Sequence, residues 1–179
     1  MSIKTYHIVF LLTSFFSFGQ SVNSATTKSI KANFTTASVK AYQESATLKV
    51  EDFYNYLTLL SNETTSGPLK TEIKASIYSF FEMENVNIID FTTDEKPFIP
   101  LNKLIDKVQN KNYTFLVSDF ESSIVASDYW TMQYKLTVIQ NSKKSKSHYF
   151  QNVKFKPVLK FFGTTKKEVW TILLGEIEQ

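Results

Sequence analysis

The stretch NSKKSKSHYF, residues 141–150, gathers Lys143, Lys144, Lys146 and His148 into ten positions. Ammonium groups beside an imidazole suit phosphate or nucleic-acid binding, and a histidine suits proton transfer near neutral pH. The rest of the inventory narrows this. The only other histidine is His7, and no cysteine exists to share a metal with His148. Every basic residue is a lysine, so bidentate arginine forks on phosphate or carboxylate are absent. The plainer reading is a hairpin. NSKKSKS turns the chain between two strands, HYF begins the return strand, and the lysines protect an exposed tip from edge-to-edge aggregation. The remaining functional reading makes Lys143, Lys144 and Lys146 a basic docking point for an acidic partner.

General acid–base work needs a sheltered carboxylate within reach of a partner. Asp90 ends a short β-branched run. Asp119 and Asp128 fall on strands or turns, where a period of two leaves their facing open. Hard cations need several converging oxygens, and TTDE at 92–95 is too short a cluster. No calcium loop, phosphate loop, dinucleotide fingerprint or nucleophile elbow occurs. Neither a metal nor a cofactor is expected.

Rings supply the other material. Trp130, Met132, Tyr134, Leu136 and Val138 alternate cleanly, which makes one strand face apolar. That face either packs under helices as core or lines a hydrophobic pocket or docking face, with Tyr149 and Trp170 as further members. Lys154, Phe155, Lys156, Lys160, Phe161 and Phe162 interleave charge and ring as single-strand nucleic-acid binders do. Strand alternation, however, sends Lys154 and Lys156 to one face and Val153 and Phe155 to the other, the habit of a half-buried strand. No nucleic-acid partner is expected.

These residues need elements to position them. Apolar residues make up 42% of the 179, enough to build a core and to argue against bulk disorder. Charge is divided: residues 44–128 hold 14 acids and 7 lysines, residues 129–179 hold 9 lysines and 3 acids. Halves of opposite sign complement each other when folded together. The opening MSIKTYHIVFLLTSFFSFGQS reads as a signal peptide, with Lys4 before an apolar run at 8–18 and small residues Ser17 and Gly19 before a cut. That run is short for a bilayer span of about 20 residues; an uncleaved anchor is the alternative. The expected layout is a signal peptide at 1–19, a Ser/Thr/Asn/Lys-rich spacer at 20–38 and one domain at 39–179, located in the periplasm or outside the cell.

Val39, Tyr42, Ala46, Val50, Phe53, Leu57 and Leu60 recur at helical spacing, with Ser45 or Thr47 as caps of a shorter version. Pro68 opens a second helix with Leu69, Ile73, Ile77 and Phe80 on its apolar face. Residues 85–91 read as a strand, 92–100 as a loop, and Pro100 opens a short third helix. Four strands follow at about 113–125, 129–140, 147–162 and 168–178, with Pro157 at a bulge or on an edge. The predicted class is α+β, three helices packed on a curved, mostly antiparallel sheet.

This order over residues 40–179, with the tyrosine-bearing helix VEDFYNYL and the closing strand KEVWTILLGEIEQ, resembles the nuclear transport factor 2-like superfamily. That cone-shaped fold also hosts ketosteroid isomerase and SnoaL-like proteins. The cut before Gln20 and the Lys-, Asn- and Phe-rich, Arg-free composition resemble exported proteins of Bacteroidota-type bacteria. The superfamily resemblance implies a pocket between sheet and helices and a homodimer through the outer sheet face. The isomerases pair a first-helix tyrosine with pocket aspartates, which puts Tyr54 or Tyr56 in the first role and Asp90 loosely in the second, with nothing for a third. The histidine–aspartate arrangement of SnoaL-like enzymes has only His148 to draw on. Fold leaves function open. The expectation is a non-catalytic, exported binding or assembly module of the cell envelope, part of a secretion or surface apparatus, with an envelope protein as partner. The alternatives are a periplasmic carrier of a small hydrophobic ligand and an isomerase-like enzyme.

Overall fold

A computed structural model describes residues 30–83 and 85–179. The expected signal peptide, and the expected spacer as far as residue 29, lie outside the described residues. The chain runs through α1 (Ile30–Asn33), α2 (Thr36–Ser61), α3 (Gly67–Ser79), β1 (Asn87–Ile89), β2 (Phe98–Pro100), α4 (Leu101–Val108), β3 (Thr114–Ser122), β4 (Tyr129–Gln140), β5 (Lys143–Phe162) and β6 (Thr165–Glu178). The class is α+β, as predicted: three longer helices pack on a six-stranded sheet of order β2-β1-β6-β5-β4-β3. All neighbouring strands are antiparallel except β1 beside β6.

Helix α2 starts earlier than its stripe suggests. Thr35 caps it, Oγ1 accepting the Ser38 N–H at 3.2 Å, so neither Ser45 nor Thr47 is the cap. Residues 30–38, expected as spacer, form α1 and the first turn of α2. Ile30 is 1% exposed and its N–H bonds the Ser127 carbonyl at 2.8 Å. Phe34 lies 5.4 Å from Phe155 and 5.0 Å from Trp170. Ala46, Val50, Phe53, Leu57 and Leu60 are buried, the single stripe that a 3.6-residue period allows. α3 begins at Gly67, one residue before the expected Pro68, and Ile73 and Ile77 face the core. Leu69 is exposed instead, and Lys70 takes the covered place beside it, its ammonium bonded to Asn110 Oδ1.

The hairpins differ most from expectation. Asn141 and Ser142 alone make the β4–β5 turn, at φ 48° and 66°. Two positive φ values match the right-handed twist of flanking strands, the I′ geometry. Lys143, Lys144 and Lys146 are therefore strand residues opposite Gln140, Ile139 and Thr137, not residues of a tip. Gly163, at φ 63°, begins the equally short β5–β6 turn. Strand β2 lies inside the stretch read as a loop. In β3 a bulge after Ser118, with Asp119 at φ 57°, turns Phe120 toward Tyr134, ring centroids 5.7 Å apart. Pro157 stands past the end of the β4 ladder at Tyr129↔Lys154. Phe155 sends its N–H to the Asp128 carbonyl on that side. By alternation the missing N–H of Pro157 falls on the same edge, which no described strand covers there, so no ladder bond is lost.

Candidate functional site

Tyr54 of α2 follows Val50 by four residues and precedes Leu57 by three, so it belongs to the buried stripe. Inside the core it meets Tyr134 of β4, hydroxyl to hydroxyl at 2.8 Å. Tyr134 donates in turn to Gln151 Oε1 at 3.3 Å, and Gln151 Nε2 donates to the Gly175 carbonyl at 3.0 Å. With its own proton directed at Gln151, Tyr134 accepts from Tyr54. The chain of bonds crosses from α2 through β4 and β5 to β6. Tyr54, Tyr134, Tyr149 and Gln151 are all buried. Burial drives the Tyr54 hydroxyl well above the usual phenol range, and Tyr134 and Tyr149 push it further. Burial also raises Tyr134, against the opposing bond from Tyr54. Tyr149 is raised by burial first and by the Asp90 charge in addition. These phenols stay protonated at neutral pH and act as hydrogen-bonding groups rather than bases.

Tyr56 lies elsewhere. Two residues on from Tyr54 it faces another side of α2 and stacks on Phe80 at 5.7 Å, with an interplanar angle of 8°. Asp90, just past β1, is buried and fully engaged. Its Oδ2 pairs with Lys107 Nζ at 2.5 Å, and Oδ1 accepts from the Thr92 N–H at 2.9 Å and hydroxyl at 2.5 Å. Burial alone would raise this carboxyl; the Lys107 ammonium and the two Thr92 donors outweigh it and hold the group below the usual carboxylate range. The Tyr54 ring lies against Phe91, the residue after Asp90, with ring centroids 5.5 Å apart. Among the described residues no hydrogen bond joins any of the three candidates Tyr54, Tyr56 and Asp90.

The alternating stripe is packed. Trp130, Met132, Tyr134 and Tyr149 are buried in the core, and Trp170 is half-buried between Phe34 and Phe155. Trp130 Nε1 is buried and has no hydrogen-bond partner among the described residues. Open grooves lie at the surface, and Val138 at the end of the stripe lines one of them. A groove of about 550 Å³ runs between Phe34, Val39 and Gln43 on one wall and Ile124 and Val125 on the other. A second, of about 680 Å³, includes Lys143, Lys144 and Lys96, but also Asp94 and Glu95, so the basic docking candidates share it with acids of their own chain. His148 lies exposed on the outer sheet face opposite Lys135, which pairs with Asp119 at 2.5 Å. No group of three metal-ligating side chains occurs among the described residues. Nor is any helix among them long and apolar enough to cross a membrane.

Sequence reasoning missed Gln151. Its signal was present: a polar residue at an inward position between Tyr149 and Val153. It also missed Ile30 and Phe34, whose place on the sheet depends on contacts more than 90 residues away. No family model matches the chain, and no curated protein is significantly similar to it.

Proposed function

We propose that the chain is an exported, non-catalytic binding or assembly module of the cell envelope, built on a nuclear transport factor 2-like domain. One observation carries this reading: the acid–base candidates Tyr54 and Asp90 are buried and engaged within the fold, while large apolar side chains stand outside. Tyr54 and Tyr134 bond each other and Gln151, and Asp90 bonds Lys107 and Thr92. Leu116 and Phe150 on the outer sheet face are exposed. Apolar side chains at a surface suit recognition of another macromolecule. The superfamily assignment is supported by the element order and by β6 returning beside β1. Export is supported by the leader-like first 19 residues.

The partner on this reading is an envelope protein, with a homodimer through the outer sheet face as an accompanying arrangement. Crosslinking in intact cells followed by purification is expected to yield one stoichiometric protein partner. Replacing Lys143, Lys144 and Lys146 with Glu is expected to weaken that association. Recovery of a solitary monomer from the envelope overturns the reading. A second reading, carriage of a small hydrophobic ligand, is favoured by the mainly apolar groove beside Phe34 and Val39. Native mass spectrometry of freshly purified protein distinguishes it by a retained small-molecule adduct.

A further inference from the structure

Among the described residues the sheet narrows to two strands beyond Lys154. The β4 ladder stops at Tyr129↔Lys154, with one further bond from Phe155 to Asp128, whereas β5 and β6 stay paired out to Phe162↔Thr165. The rungs from Pro157↔Trp170 to Phe162↔Thr165 therefore form an arm about 20 Å long at a strand's rise per residue. A two-stranded ribbon is marginal in water by itself. This one nonetheless leaves Leu159 63%, Phe161 69% and Phe162 55% exposed.

The placement of these side chains selects the occupant. The register is unbroken from Val153 to Phe162, so Leu159 and Phe161 lie on the face of Phe155, and Val158 and Phe162 on the opposite face. The Lys166 ammonium sits 5.0 Å from the Phe161 ring centroid, consistent with that rung sharing one face. A protein groove covers one face of a ribbon. Apolar side chains leaving both faces near a turn suit a fluid apolar medium that closes around them. Charge points the same way. The arm carries Lys160, Lys166 and Lys167 against one acid, Glu168. Lys160 and Lys167 stand directly opposite each other, a like-charge pair that is unfavourable unless anions are close. That rung is three residues from the turn, about 10 Å along the strand, which matches the roughly 5–10 Å depth of interfacial segments.

We infer that the β5–β6 arm docks on an anionic lipid bilayer, with Phe161 and Phe162 entering the interface and Lys160, Lys166 and Lys167 binding lipid phosphates. At that shallow depth the open strand edges still meet water and headgroups, so their backbone groups remain hydrogen-bonded. The inference rests on the arm alone and does not need the protein partner proposed above.

The chain has no cysteine, so Thr164→Cys gives a single site at the turn for an environment-sensitive fluorophore. The labelled full-length chain is mixed with vesicles of phosphatidylcholine alone or with about one third phosphatidylglycerol. The expected result is a blue shift and binding at least about tenfold tighter on the anionic vesicles. Lys160→Glu with Lys167→Glu, and separately Phe161→Ser with Phe162→Ser, are each expected to weaken binding about tenfold or more. Unchanged thermal melts by circular dichroism are expected for both variants, because all four side chains are exposed. The label reports the turn itself, whatever other part of the chain touches a vesicle. An unshifted label on anionic vesicles, or an equal shift on neutral ones, overturns the inference. So does a label that responds only to a single-stranded oligonucleotide or only to self-association.

Discussion

At the scale of single residues, the contrast between Tyr54 and Tyr56 shows how far periodicity reaches. Their spacing on α2 puts them on different faces, and Tyr54 falls on the stripe that also holds Val50 and Leu57. The stripe was legible in the sequence; the partner at the end of the Tyr54 hydroxyl was not, since Tyr134 is 80 residues away. Asp90 makes a sharper case. Its carboxyl is ionised more readily in the fold than in the unfolded chain, because Lys107 and Thr92 outweigh the effect of burial. A depressed folded pKa contributes stability that is fully present above the unfolded value of about 3.9 and is lost as pH falls through the folded value. Asp90→Asn is therefore expected to lower stability by about 1–3 kcal/mol at pH 7, as loss of a charged hydrogen-bond acceptor does. The gap to wild type should shrink below about pH 4. Urea denaturation at pH 7, 5 and 3 checks this; a gap of constant size at all three would contradict it.

At the scale of elements, legibility tracked length and repetition. β4, with twelve residues in clean alternation, lies where its pattern places it. β2, with three residues, carries too little pattern to reveal a period, so the sequence alone predicts a loop there. The polar run before His148 contains no apolar alternation, so the pattern starts this strand at 147, four residues after its true start at Lys143, and leaves its lysines in a turn. Only the positive φ values of Asn141 and Ser142 locate that turn. Pro157 is the instructive success, since its missing donor restricted it to a bulge or an edge. Because the edge beside it is uncovered, Pro157→Val is expected to change stability by less than about 0.5 kcal/mol. It should also increase self-association, because a restored N–H extends an open strand edge. Chemical denaturation and sedimentation velocity measure the two effects separately.

At the scale of the whole molecule, the division of charge is partly realised as contact. Glu82 of the acidic half pairs with Lys154 at 2.6 Å and with Lys156, both of the basic half, and Asp119 pairs with Lys135. Those lysines hold Glu82 below the usual carboxylate range. The segment before α2 completes the fold by joining Ile30 to the β3–β4 loop and Phe34 to the base of the β5–β6 arm. Phe34→Ala is expected to cost about 1–3 kcal/mol, less than a fully buried phenylalanine because the ring is only half covered. It should also shift Trp170 emission to the red while Trp130, buried in the core, is unchanged; single-tryptophan variants resolve the two signals. By itself the sequence determined the α+β class, the buried stripe of α2, the apolar face of β4 and the absence of cysteine and arginine chemistry. These follow from composition and from periods carried by neighbouring residues. Only the tertiary structure decided that Tyr54 bonds Tyr134, that Asp90 belongs to Lys107, that the apolar stripe is packed core and that the last hairpin outruns the sheet. Those outcomes depend on which distant segments share a rung or a face, and no local period encodes that pairing.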